Sequence, residues 1–161
     1  MDRANRILGV DPGLRVTGYG LIDGGARLVD AGVIRTTLTA GLQQRLEEIA
    51  DGIDELLAEY QPRIVAVENL YAHYRHPRTA IVMGHARGVI LLSARRAGVP
   101  VVGFAATRIK KALTNVGRAG KQQVARAVAR ELGLRTPPQP ADVSDALAIA
   151  LCCAYEGGAR T

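Results

Sequence analysis

The chain has 161 residues, 48% of them hydrophobic, and its 21 Lys and Arg exceed its 15 Asp and Glu to give a formal net charge of +6. That length suits a single domain over residues 1–161, able to bury ~70% of its unfolded surface in one core. The longest uncharged stretches fall short of the ~20 apolar residues of a membrane span, no hydrophobic leader follows the MDRANR start, and Cys152 and Cys153, adjacent in an apolar run, suit small buried side chains better than a disulfide framework. The expected location is therefore the cytoplasm, with no membrane partner.

Three strands are predicted first, over 6–11 (RILGVD), 16–23 (VTGYGLID) and 26–36 (ARLVDAGVIRT), with Gly24-Gly25 as a hairpin turn signal. Residues 42–60 then take helical spacing, with Leu42, Leu46, Ile49, Ile53, Leu56 and Leu57 on one face and acidic residues elsewhere, and Pro62 closes the helix. RIVAVE (63–68) reads as a short buried strand, 78–97 as a long helix, and VPVVGF (99–104) as a last strand after a turn at Gly98. Helices fill the remainder: Gly117 and Gly120 interrupt the stretch near Lys121, and a final helix runs from Asp142 to Tyr155 after Pro137, Pro138 and Pro140. Strands first, then alternation, then helices describe an α/β sandwich around a mixed sheet of five strands.

Charge is distributed unevenly along this frame. Residues 1–71 hold seven basic and eleven acidic side chains, whereas residues 72–161 hold fourteen and four. Between Glu68 and Glu131 there is no carboxylate, yet twelve Lys and Arg lie there, from Arg75 to Arg130. So many like charges repel one another unless a polyanion neutralises them, and nucleic acid is the leading partner. A merely solubilising surface explains a run of five or six Arg better than it explains this segment.

The acidic residues are few enough to take singly. Asp11 ends the first strand before Pro12-Gly13, where an Asp commonly bonds a tight turn. Glu68 ends the apolar run 64–67, an unusual place for an unpaired Glu. Asp142 and Asp145 lie three apart, hence on one helix face. Asp142 alone could be an N-cap, but Asp145 opens an uncharged run, ALAIALCCAY, whose burial would cost several kcal/mol for a lone carboxylate. A divalent cation relieves all four at once. Mg2+ takes carboxylate oxygens, water and phosphate, and two such ions can flank a scissile phosphodiester.

The stretches GVDPGLRVTGYG (9–20), AVENLY (66–71) and ADVSDALAIA (141–150), with ARG (86–88) between, resemble the RuvC-type Holliday-junction resolvases in order and spacing over nearly the whole chain. The resemblance implies an RNase H-like nuclease domain whose sheet gathers Asp11, Glu68, Asp142 and Asp145 around two Mg2+ or Mn2+ ions. It implies a homodimer that cuts four-way DNA junctions by paired symmetric nicks, leaving 5′-phosphate and 3′-hydroxyl ends, and that works with a branch-migration motor of the RuvA and RuvB type. Tyr71 stands where the family usually has a junction-stacking Phe, and Tyr stacks as well. Lys110 and Lys121 match family lysines near the scissile strand, which makes Lys121 a catalytic candidate.

Composition agrees with that placement. The three lysines of the chain, Lys110, Lys111 and Lys121, fall in one short segment of an otherwise Arg-using protein. A compact ammonium beside a phosphate suits that choice. Arg75, Arg78, Arg108, Arg118, Arg126 and Arg130 are candidate backbone contacts. His73, His76 and His85 have no Cys/His quartet for zinc and read as exposed loop histidines. Gly84 and Gly88, four apart on the long helix, permit a close backbone approach, either across a dimer axis or onto the helix's own sheet. Two rivals stay in view: DPGLRVTGYG also resembles the phosphate loop of actin-like kinases, which need two such domains, and a nuclease-dead nucleic-acid-binding protein would use the basic segment alone.

Overall fold

The structure, a computed structural model, describes residues 5–70 and 76–157. In chain order the elements are β1 (Ile7–Asp11), β2 (Val16–Ile22), β3 (Leu28–Arg35), α1 (Leu42–Tyr60), β4 (Ile64–Glu68), α2 (Pro77–Arg96), β5 (Val101–Phe104), α3 (Ala106–Thr114), α4 (Lys121–Glu131) and α5 (Ala141–Tyr155). The strands form one sheet in the order β3-β2-β1-β4-β5. β1, β2 and β3 pair antiparallel, while β4 and β5 extend the sheet parallel to β1. This is the mixed five-stranded α/β architecture expected from the sequence.

The alternation of side chains across each strand divides the core in two. On one face Leu8, Val10, Leu21, Val65 and Val67 pack against Ile49, Ile53 and Leu57 of α1 and Ile90 of α2. On the other, Ile7, Ile22 and Ala66 pack against α3, α4 and above all α5, whose Leu147, Ile149, Leu151, Cys152 and Cys153 are all nearly inaccessible. Helix α5 is apolar nearly all round because the sheet covers one side and α3 and α4 the other. The two cysteines are free and buried.

Glycines let α5 lie close to the sheet. A Cβ at Gly9 would collide with the Ala146 carbonyl, one at Gly18 with the Asp142 carbonyl, and one at Gly20 with Leu147. The strands beneath the helix thus lack side chains where its backbone passes.

Four local expectations shift. The first hairpin closes over Asp23–Arg27, with the Asp23 carboxylate accepting from the Gly25 and Arg27 amides at 3.0 Å each and Ala26 in the left-handed region. Leu42 is 39% exposed: it is the first residue of α1, and the buried stripe of that helix begins only at Ile49. Strand β5 begins only at Val101, since Pro100 has no amide to donate, although its carbonyl still accepts from Val65. A Cβ at Gly84 or Gly88 would meet nothing within 4 Å, so packing on the sheet does not account for these two glycines. Among the described residues no helix is long and apolar enough to cross a membrane.

Replacing Gly9 by Ala should lower the unfolding free energy by ~1–3 kcal/mol or more, the cost of overpacking against backbone that has no rotamer to move. Urea denaturation measures it, and an unchanged midpoint would show that α5 can lift from the sheet freely.

Candidate active site

The parallel register of β1 and β4, with Val10 beside Val67, brings the next residues, Asp11 and Glu68, side by side at the strand ends. Ile7 and Ala66 lie in the α5-side core, so the period of two sends Asp11 and Glu68 to that same face. The start of α5 arrives above them because its Asp142 backbone rests on Gly18, the register partner of Asp11. Asp142 and Asp145 are the second and fifth residues of α5. The N-cap is Pro140, with no side-chain cap bond, so Asp142 is not the cap. As a first-turn anion it is favoured by the helix dipole. Between the two acids, the Ser144 hydroxyl donates to the Pro138 carbonyl at 2.8 Å and fixes the proline-rich approach.

Asp11, Glu68, Asp142 and Asp145 line one cavity of about 440 Å³ together with Lys110 of α3 and Lys121 of α4. Burial, then the charges of Asp145, Asp142 and Glu68, push Asp11 up to about 7, with only partial relief from Lys121. Glu68 is raised by burial and by Asp145, against the opposing pull of Lys110 and Lys121. Burial also raises Asp145, although Lys121 Nζ stands 3.7 Å from its Oδ2. That lysine is 84% exposed and its pairing correspondingly weak.

The donor set is all oxygen and strongly anionic, which fits a hard divalent cation and no soft one. Among the described residues no three such side chains close into a ready-made ligand cluster. Mg2+ takes a few carboxylate oxygens and completes its shell with water and phosphate, so it does not require such a closed protein cage.

Sequence reasoning missed the rest of the wall: Asn69 and Leu70 after β4, Met83 reaching from α2, and Ile109, Val124 and Ile149. Asn69 and Leu70 follow Glu68 directly, a signal that was present; Met83 had none. Lys111, Arg78, Arg118 and Arg126 are exposed but do not line the cavity. Arg108 is turned elsewhere, ion-paired with Glu156 just beyond α5 and set over the Phe104 ring, roughly 20 Å along the helix from its acidic start. Arg130 pairs with Glu131 at 3.0 Å. His76 precedes α2 and is exposed; His85 is exposed too, but on the helix and not in a loop. Tyr71, His73 and Arg75 lie outside the described residues.

The family profile of crossover junction endodeoxyribonuclease RuvC matches residues 7–153. The chain is 50% identical over 155 residues to the crossover junction endodeoxyribonuclease RuvC of Rhodopirellula baltica, covering 94% of this chain and 87% of the relative. It is 49% identical over 156 residues to that of Halorhodospira halophila, with 96% and 92% covered. Among solved structures it is similar to T. thermophilus RuvC in complex with Holliday junction substrate, at a TM-score of 0.89 and 35% identity over 95% of this chain and 94% of that one. The yeast mitochondrial Holliday junction resolvase Ydc2, at a TM-score of 0.67 and 11% identity over 94% and 80%, shares the fold alone.

The raised pKa of Asp11 carries a stability signature. Its folded value, about 7, exceeds the ordinary 3.8, so the stability linked to its proton is complete below the unfolded pKa and lost as pH rises through 7. Without divalent metal, the parent should lose a few kcal/mol, at most on the order of 4, relative to Asp11→Asn between pH 4 and 8. Urea melts in chelator across that range test it; parallel pH profiles would contradict it.

Proposed function

The chain belongs to the RuvC family of crossover junction endodeoxyribonucleases, RNase H-like hydrolases that resolve Holliday junctions, and we propose that Asp11, Glu68, Asp142 and Asp145 carry its chemistry as holders of two divalent cations. The observation behind this reading is the convergence of four carboxylates and two lysines on one cavity in a chain of this family. The chemistry such ions supply when bound is activation of water and neutralisation of charge on the departing oxygen.

The chain's own groups do the rest. Burial and the neighbouring carboxylates favour a proton on Asp11 near neutral pH, and a bound divalent cation would take that proton's place. The water oxygen would bond to phosphorus as its proton passes to solvent, the bond from phosphorus to the 3′ oxygen would break, and that oxygen would take up a proton from solvent, giving 5′-phosphate and 3′-hydroxyl ends. Lys121, exposed and only loosely held by Asp145, can swing its ammonium to a phosphate oxygen of the scissile strand. Lys110 reaches the same cavity from α3 and steadies the strand. Lys111, Arg78 and Arg118 extend the basic path for neighbouring phosphates, and by the family resemblance Tyr71 stacks on a base and Arg75 is a further phosphate contact.

The working unit is a homodimer that nicks two opposed strands. The outer side of α2 supports it: Gly84 and Gly88 have open space above them, while Ile81 and Leu92 of that helix are 61% and 49% exposed. A branch-migration motor of the RuvA and RuvB type as partner rests on family membership.

Incubation with a synthetic four-way junction, a linear duplex and an RNA–DNA hybrid, with Mg2+ or Mn2+, tests the reading. Paired symmetric nicks in the junction alone are expected, and equal cutting of the duplex would refute junction selectivity. Asp11→Asn should slow nicking ~1,000-fold or more, the scale of losing an electrostatic stabiliser, while junction affinity in a gel-shift assay holds. Lys121→Ala should lower the single-turnover rate by ~10–100-fold and affect binding far less; matched losses would reduce it to a phosphate contact.

A further inference from the structure

Between Asp11 and β2 the chain makes a short loop, Pro12-Gly13-Leu14-Arg15, and both Pro12 and Gly13 line the catalytic cavity, as does Val16 beyond it. The inner half of this loop is held locally. The Thr17 hydroxyl, fully buried, donates to the Gly13 carbonyl at 2.8 Å and accepts from the Gly13 amide at 3.3 Å.

The outer half is held from far away in sequence. The Leu14 carbonyl accepts the Thr36 hydroxyl at 2.6 Å and Arg45 Nη2 at 3.1 Å, and Arg45 Nε donates to Thr36 Oγ1 at 3.0 Å. The Thr36 amide donates to the Arg15 carbonyl at 3.2 Å. One guanidinium therefore closes a triangle with a hydroxyl and a backbone carbonyl. Glu48 seals the same corner by accepting the Thr37 amide at 2.7 Å.

Arg45 belongs to the first turn of α1, where a cation opposes the helix dipole and an acid would be the ordinary choice. Its position is better explained by the carbonyl it reaches. A charge-assisted, two-pronged donor fixes direction as well as distance, which a single neutral bond does not. Fixed direction matters here, because Asp11 opens this loop and is repelled by three neighbouring carboxylates. Arg45 itself does not line the cavity.

We infer that Arg45, acting with Thr36 through the Leu14 carbonyl, is a positioning residue for junction cleavage: it holds the loop that leads off Asp11 in the form that lines the cavity. This rests on the assignment of Asp11 to the metal-holding set. A misplacement of about 1 Å is enough to slow a reaction ~100-fold, and partners that orient a ligand affect metal affinity by ~10–100-fold.

The test compares full-length parent, Arg45→Ala, Arg45→Lys and Thr36→Val, with Asp11→Asn in parallel. Circular dichroism at the assay temperature first establishes folding. Arg45→Ala is expected to lower kcat on a synthetic four-way junction about tenfold or more with little change in KM, and to weaken Mg2+ binding about tenfold by calorimetry without DNA. Arg45→Lys, with one donor head in place of two, should recover part of both losses. Folded Arg45→Ala with parental kcat and Mg2+ affinity overturns the inference, as does a loss confined to KM. Should Arg45→Ala not fold, Thr36→Val and Arg45→Lys decide by the same two readouts. Full nicking by Asp11→Asn would instead sink the metal-site reading, which separates the two failures.

Discussion

The close seating of α5 on the sheet is the constraint on which the rest depends. An apolar helix normally rides on the side chains of the strands below it, but here Gly9, Gly18 and Gly20 remove those side chains where the α5 backbone passes. The approach sets the height of the helix start over the ends of β1 and β4, and so the distances among four carboxylates borne by three elements. It also explains why α5 is so poor in polar residues. From Val143 to Cys153 every residue except Asp145 is buried, and Asp145 escapes only by facing the cavity.

Electrostatics pulls against this packing. Burial, together with the gathering of Asp145, Asp142 and Glu68 around it, raises the cost of ionising Asp11. The segment without acids supplies the complement: α3 and α4 each send one lysine, Lys110 and Lys121, into the cavity. Two exposed arginines of that segment also pair with acids of this chain. Arg108 is committed to Glu156, and Arg130 to Glu131, whose other oxygen accepts the Tyr155 hydroxyl at 2.7 Å. These largely exposed pairs add little stability, but the Tyr155 hydroxyl ties the far end of α5 to Glu131 at the end of α4, whereas Lys110 and Lys121 stand beside its acidic start.

Much of this was legible in the sequence because it is local. The strand alternation of Ile7–Asp11 and Ile64–Glu68, the i, i+3 spacing of Asp142 and Asp145, and the lone cluster of lysines each show within a dozen residues. The details that went otherwise depend on contacts between distant parts of the chain. Leu42 fits the stripe of α1 but lies ahead of its buried part and stays exposed; Arg108 lies in the basic segment but answers Glu156, 48 residues on. Gly24-Gly25 signals a tight turn, yet the Asp23 carboxylate widens it by capping two amides. Met83 and Arg45 carry no motif at all. A side chain that works through a backbone carbonyl 31 residues away leaves no spacing to read.

The two devices that steady Asp11 come from opposite faces of the sheet. On one face, missing side chains let α5 bring Asp142 and Asp145 to it; on the other, Thr17, Thr36 and Arg45 tie down the loop that follows it. Neither is sufficient alone. A helix pressed onto the strands fixes where the partner acids stand but not how the chain leaves β1, and a pinned loop does not remove the strand side chains that would lift α5. With like charges gathered at one point, any slack in either layer would let the acids drift apart. The site is therefore a property of both layers, and residues of α1 that never reach the cavity belong to its design.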